Sequence, residues 1–232
     1  RYVYGLTKAM LETSPSHQYV LYAGTLRQRK YFKDLMQTSP WNQASWRILP
    51  LPPKLAGSAF NLLPFRAEWL VGKVDIFHSS DWSEVSAKCP SVTTIHDLVF
   101  HKYPETVDPL ILKVQQNRLK KIVRNQTHII ADSKSTKNDL MEIYQLPSDR
   151  ITVVYPGISE LYKPQSKKEI DRVKTKYNLP DKFILSVGTQ EPRKNIARLR
   201  EAVESLNIPL VVVGKHGWGD KTQTLGFVPE LD

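Results

Sequence analysis

The sequence contains a single cysteine, Cys89, among 232 residues. An internal disulfide is therefore excluded, and a reducing compartment is the expected setting. Cys89 reads as a small apolar side chain of the interior and not as a nucleophile. Long apolar runs are lacking as well. None approaches the roughly 18 residues that would span a bilayer as a helix, and the first residues do not spell a signal peptide. Acidic residues are the minority, 23 Asp and Glu against 33 Lys and Arg, for a formal charge of +10. Such a surplus suits nucleic acid, an anionic membrane surface or anionic small molecules. The basic residues are spread over many segments and form no nucleic-acid-binding motif, so nucleic acid is not the expected partner.

What is present is an ordinary globular composition, 41% apolar and 24% charged, in a chain long enough for one large domain or two modest ones. Strands are expected near residues 18–23, 48–49, 74–78, 91–95, 127–131, 151–155, 183–188 and 209–213, with a short one at 225–228. Helices are expected over 1–12, 25–37, part of 54–71, 110–124, a segment capped by Ser133, 168–177 and 196–206. This alternation predicts an α/β fold with a parallel sheet covered on both faces. The polar stretch 160–176 reads as a linker running into a charged helix, dividing the chain into domains 1–160 and 161–232. No strand precedes the opening helix, and the second domain holds few strands. A first strand and the rest of the second domain are thus expected to lie outside this stretch.

In such sheets ligands sit beyond the carboxyl ends of the strands. The residues found there are His78-Ser-Ser80, His96-Asp97, Asp132-Ser133, Pro156-Gly157, the turn at 188–194, and Gly214. The most informative stretch is Phe183-Ile-Leu-Ser-Val-Gly-Thr-Gln-Glu-Pro-Arg-Lys-Asn195. Ile196, Leu199, Val203 and Leu206 then follow at helical spacing, with Asn195 placed to cap the helix. A strand, a tight turn carrying Glu191, Arg193 and Lys194, and a helix N-terminus together favour an anion, most simply a phosphate or diphosphate. A solvated basic loop is the plainer reading of the same turn.

Other signals are weaker. His96 at a strand end can donate a hydrogen bond or exchange a proton near neutral pH, or it can be a structurally satisfied histidine. The further ligands that a metal phosphohydrolase would need beside His96-Asp97 are not found. Gly214-Lys-His-Gly-Trp-Gly-Asp-Lys-Thr222 nearly spells a P-loop, but Asp220 intrudes before Lys221 and no amphipathic helix follows. A Walker-type ATPase is excluded on that ground. The expected helix at 25–37 carries Arg27, Arg29, Lys30 and Lys33, either as a solvated face or as a patch for anionic lipid.

Val187-Gly-Thr-Gln-Glu-Pro-Arg-Lys-Asn195 resembles the diphosphate-binding segment of glycosyltransferase family 4. The form Gly-Thr-x-x-Pro-Arg-Lys-Asn is similar to that of its mannosyltransferase-like members. His96-Asp97, Ile130-Ala-Asp-Ser133 and Val154-Tyr-Pro-Gly-Ile158 match more weakly, in the family's order. The resemblance implies a GT-B-type α/β fold: a Rossmann-like, acceptor-side N-terminal domain and part of a second Rossmann-like domain that binds a nucleotide sugar. The implied reaction moves a sugar, mannose by subgroup, from a nucleotide-diphosphate donor to a saccharide or lipid-linked acceptor with retention of configuration, as in polysaccharide biosynthesis.

By the same resemblance, His96 is the catalytic residue with Asp97 as its orienter, and Gly188, Thr189, Arg193 and Lys194 bind the diphosphate. Glu191, Gly214 and Lys215 line the donor pocket, and Ser133 and Gly157 line the cleft. Thr189 stands where many members carry arginine. No metal or other cofactor is expected beyond the nucleotide sugar as co-substrate. The family's Glu-x7-Glu pair would fall after Asp232, so this stretch by itself is expected to be inactive. The implied location is the cytoplasm, with a peripheral contact at the inner membrane face left open. The competing reading is a nonenzymatic basic protein docking on nucleic acid or anionic membrane. A related epimerase would need acid/base carboxylates that the sequence does not place.

Overall fold

The structure, a computed structural model, describes residues 2–50, 65–79, 81–219 and 223–228. Residues 54–64 of one expected helix, and Ser80, Asp220, Lys221 and Thr222, lie outside the described residues. The chain forms two compact units, Arg1–Leu98 with Val114–Gly157, and Val99–Lys113 with Ile158–Asp232. Along the chain the units change over between Leu98 and Val99, between Lys113 and Val114, and between Gly157 and Ile158, so that Val99–Lys113, expected within the first domain, groups with the second unit.

The first unit opens on helix α1 (Tyr2–Thr13), followed by β1 (Val20–Gly24), α2 (Arg29–Leu35) and β2 (Ser45–Leu49). Strands β1 and β2 pair in parallel, Val20 opposite Ser45. Helix α2 is shorter than its sequence suggests because Thr25 Oγ1 accepts the Gln28 N–H at 3.0 Å, holding the chain in a turn before the helix begins. A short helix α3 (Glu68–Val71) leads to β3 (Phe77–Ser79) and β4 (Ser91–Ile95). Ala67, Leu70, Val71 and Val85 form a buried cluster, against which Val20, Tyr22, Leu49 and Phe77 pack. This cluster ties the β1–β2 pair to the second sheet of the unit.

After β4 comes the short helix α4 (Val99–Lys102), where a loop was expected, and then α5 (Pro109–Arg124). Asp108 starts α5: its Oδ1 accepts from the Leu110 and Ile111 N–H groups at 2.9 and 3.3 Å, and Pro109 needs no donor in the first turn. Strand β5 (His128–Ala131), helix α6 (Lys134–Tyr144) and strand β6 (Ile151–Val153) complete the first unit. Its larger sheet is parallel throughout, in the order β3-β4-β5-β6. Ile95, Leu119, Ile122, Ile129, Leu140 and Ile151 are nearly inaccessible and form its apolar interior.

Polar groups pin the same sheet. Glu84, only 2% exposed, accepts from Ser79 Oγ and Thr127 Oγ1, each at 2.5 Å. Buried Arg118 donates from Nη2 to Thr93 Oγ1 at 2.7 Å and to the Thr94 carbonyl at 2.9 Å. Burial pulls the Arg118 guanidinium down to about 10, against the opposing pull of Glu84 and Asp81.

In the second unit, α7 (Lys167–Lys176) begins at Ser166, whose Oγ accepts the Glu169 N–H at 3.3 Å. Strands β7 (Ile184–Val187) and β8 (Leu210–Val213) pair in parallel around α8 (Ile196–Glu204). Ile196, Val203 and Val212 are buried there. The strand expected at 225–228 reduces to one antiparallel bridge, Gly226 with Gly214. Within this unit Trp218 Nε1 donates to the Thr106 carbonyl at 3.2 Å. No helix among the described residues is long and apolar enough to cross a membrane.

Leu140 is fully buried on α6. Leu140→Ala is expected to destabilise the first unit by about 2–5 kcal/mol, read as a shift of the urea midpoint at unchanged slope.

Candidate functional site

Two places carry candidate chemistry, one in each unit. In the first, His96 follows β4, and Asp132 follows the neighbouring strand β5. Parallel pairing sets Ile95 opposite Ala131, which brings the next residues of both strands side by side. The His96 Nδ1–H donates to Asp132 Oδ2 at 2.6 Å, and Nε2 lies 3.7 Å from Asp81 Oδ2. Asp81 follows β3, and its carbonyl accepts from Gln115 Nε2 at 3.0 Å. The Tyr2 ring meets the imidazole edge-on, with centroids 4.8 Å apart.

The backbone of His96 is fixed by the same neighbouring turn. Ser133 Oγ accepts the Thr136 N–H at 3.0 Å, the expected cap of α6, and Thr136 Oγ1 donates to the His96 carbonyl at 3.0 Å. Asp97 follows His96 directly, while the carboxylates seen against the ring come from two other strand ends. Asp81 and Asp132 were missed as partners of His96 because they stand 15 and 36 positions away in sequence. Their position just past the carboxyl ends of strands, one residue after β5 for Asp132 and two after β3 for Asp81, was the available signal.

This surrounding fixes the protonation state. Asp81, and then Asp132, raise the imidazole to about 9 against the cost of burial. Reciprocally, the nearby His96 imidazole holds the Asp81 carboxyl below its ordinary value. Asp132 makes the shorter contact and so sets the ring's orientation. His96 is therefore a cation at neutral pH, able to donate a hydrogen bond or offset negative charge but not to act as a free base. His78, whose Nε2 lies 3.2 Å from Thr94 Oγ1, is shifted the other way by burial.

The second place is the turn between β7 and α8. Gly188 and Gly214 end the paired strands with φ of 144° and 140°. A Cβ on Gly214 would fall 2.1 Å from the Gly188 carbonyl oxygen, so the two backbones can come this close only with no side chain at position 214. The Gly188 N–H donates to the Val213 carbonyl at 2.8 Å and the Gln190 N–H to the Lys215 carbonyl at 3.1 Å. Gln190 is buried, and the segment around Gly217 and Gly219 packs on its carbonyl. Thr189 contributes its methyl to the same packing, against Gly217.

Residues Pro192–Lys194 form a single 3-10 turn. The Lys194 side chain folds back across Gly188, its Cε 3.6 Å from where a Cβ would stand. Arg193 Nε donates to Glu191 Oε2 at 2.6 Å. Asn195 does not cap α8 through its side chain, as expected; it adopts a left-handed backbone, φ 50° and ψ 45°, that closes the 3-10 turn. Asparagine tolerates that region better than most residues, and the competing turn geometry decides its role. Glu191, Pro192, Asn195, Ile196 and Gly219 line a pocket of about 170 Å³ at the start of α8. Lys215 holds its ammonium 5.9 Å from the centre of the exposed Phe227 ring. Gly157 ends the first unit, exposed, with nothing within 4 Å of an added Cβ.

The fold matches solved structures of the GT-B class. A crystal structure of Anabaena Alr3699/HepE in complex with UDP and glucose aligns over 92% of this chain and 70% of that one, at TM-score 0.55 and 16% identity. A glycosyltransferase from Rickettsia africae ESF-5 aligns over 91% of this chain and 56% of that one, at TM-score 0.52 and 17% identity. The model of the family described as Glycosyltransferase Family 4 matches residues 1–160. The chain belongs to glycosyltransferase family 4.

Among curated proteins it is 28% identical to the O-antigen chain mannosyltransferase B of Escherichia coli, over 75% of this chain and 52% of that protein. It is 33% identical to the Escherichia coli serotype-specific mannosyltransferase WbdA over 50% of this chain and 15% of that protein. The D-inositol 3-phosphate glycosyltransferase of Corynebacterium glutamicum (strain R) is 27% identical over 67% of this chain and 40% of that protein. The chain thus spans about half the length of the first of these relatives, 52%, and less of the others.

Two expectations follow. The His96 imidazole should titrate near 9 by NMR, and Asp81→Asn or Asp132→Asn should move the midpoint down toward 6.5. With the folded value above the ordinary one, charged His96 contributes stability that is complete below pH 6.5 and lost as pH rises through about 9. At the second place, Gly214→Ala should lower Tm by about 3–10 °C, whereas Gly157→Ala should leave it within about a degree.

Proposed function

We propose that this chain is part of a retaining glycosyltransferase that moves a hexose, mannose by the names of two of its relatives, from a nucleotide-diphosphate sugar to a saccharide or lipid-linked acceptor. The observation that carries the reading is the β7–α8 turn. There a lysine lies over a glycine beside a helix N-terminus, in the motif by which the chain resembles its family's diphosphate segment. Free N–H groups, the helix dipole and Lys194 all favour the negative charge that grows on a departing diphosphate. Gly188 and Thr189 supply close backbone approach, with Arg193 beside them. Gly214 and Lys215 form the neighbouring wall. No metal is assigned a role, because these groups supply the counter-charge.

His96 is assigned to the reacting sugar or acceptor. As an imidazolium gripped by Asp132 and Asp81, it acts as a hydrogen-bond donor of fixed orientation. That suits stabilisation of an oxygen gaining charge better than proton abstraction. A peripheral contact with anionic lipid is assigned to the basic stretch from Arg27 to Lys33, where Tyr31 and Leu26 are exposed beside the cations.

The test is calorimetric titration with UDP, GDP and ADP. Micromolar binding of one of them is expected, with at least tenfold loss in Lys194→Ala, about 1.4 kcal/mol or more. Binding that follows salt alone, without preference among the nucleotides, would favour the polyanion-docking alternative.

A further inference from the structure

The Glu191–Arg193 pair places a negative charge inside a loop otherwise built to attract one. The Glu191 carboxylate is the more enclosed partner, 17% exposed against 36% for Arg193, and the contact is 2.6 Å. It is held there by the chain itself. Glu191 has extended backbone with ψ of 150°, Pro192 opens the 3-10 turn, and the Lys194 N–H returns to the Glu191 carbonyl at 2.9 Å. Glu191 also lines the pocket at the start of α8. Lys194 is directed elsewhere, across Gly188. The loop therefore offers an anion one cation over the glycine turn and a second cation already engaged.

We propose that Glu191 is an internal counter-ion, which competes with the diphosphate for Arg193 and so weakens retention of the nucleoside diphosphate product. The inference rests on the reading of this turn as a diphosphate site. In the transfer, the acceptor hydroxyl oxygen bonds to the anomeric carbon and its proton passes to solvent water. The bond from that carbon to the diphosphate oxygen breaks, and its electron pair leaves with the diphosphate. The product therefore carries about one more negative charge than the sugar ester, since its terminal phosphate ionises near pH 6. Cations that stabilise the departing group would also hold the product, and product release, not chemistry, limits many enzymes. A carboxylate within reach of Arg193 opposes that hold. Arg193 can turn to the diphosphate as charge develops and return to Glu191 as the product leaves.

The test compares the chain with Glu191→Gln and Lys194→Ala, each checked for folding by circular dichroism, in titrations with UDP, GDP and ADP. Glu191→Gln is expected to bind the preferred nucleoside diphosphate about three- to tenfold more tightly, with a smaller gain at high salt. Glu191→Ala, which leaves no amide in the turn, carries the same expectation and serves if the glutamine variant does not fold. Unchanged or weaker binding in folded Glu191 variants, with binding still lost in Lys194→Ala, would overturn the counter-ion and leave the diphosphate site standing. Binding that survives in Lys194→Ala, or is absent from the parent chain, would remove the diphosphate site and the counter-ion together.

Discussion

The ends of β7 and β8 run so close at Gly188 and Gly214 that a single Cβ would collide with a carbonyl oxygen. Everything distinctive about the second unit's turn depends on that approach. It lets the β8 backbone pair on past the strands, with Lys215 accepting from Gln190. It buries Gln190 beneath the following segment, and it leaves Gly188 bare so that Lys194 can lie across it. The Pro192–Lys194 turn and the left-handed Asn195 then deliver the chain into α8. A phosphate bound at such a turn would need backbone within hydrogen-bonding reach, and a side chain at Gly214 would push the Gly188 carbonyl out of this arrangement.

The first unit solves a different problem, the stable exposure of one charged imidazole. Parallel pairing of β4 with β5 puts His96 and Asp132 next to each other, and the cap of α6 binds the His96 carbonyl through Thr136. Beneath them, buried Glu84 accepts from the Ser79 hydroxyl of β3 and the Thr127 hydroxyl just before β5, and buried Arg118 donates from Nη2 to a hydroxyl and a carbonyl of β4. Breaking one partner of such a network leaves another stranded, so the polar groups restrict this sheet to one arrangement. A ring clasped by Asp132, approached by Asp81 and edged by Tyr2 has little freedom to choose another orientation.

Local features were the legible ones. Strand alternation, the Ser133 cap and the charged helix after Ser166 can each be read from a few neighbouring residues, and each is present. The α/β class follows from the same order of segments, whereas the resemblance to the family rests on the residues of Val187–Asn195. What sequence did not disclose depends on distant juxtaposition: Asp81 and Asp132 meeting His96, Glu84 enclosed by Ser79 and Thr127, and Val99–Lys113 grouping with the second unit. Asn195 is a subtler case. Its residue type suits both a side-chain cap and a left-handed turn, and only the preceding Pro192–Lys194 geometry decides between them. Arg193 likewise reads as a plain cation until Glu191 is seen beside it.

The central claim is that the turn between β7 and α8 receives the diphosphate. Backbone amide NMR, recorded while the preferred nucleoside diphosphate is titrated into the chain, tests it most directly. The account predicts saturable shifts centred on the amides of Gly188, Thr189, Lys194 and Ile196, and on Gly214 across the strand pair. Saturable shifts centred on α2 instead, or a spectrum unmoved at millimolar nucleotide, would contradict it.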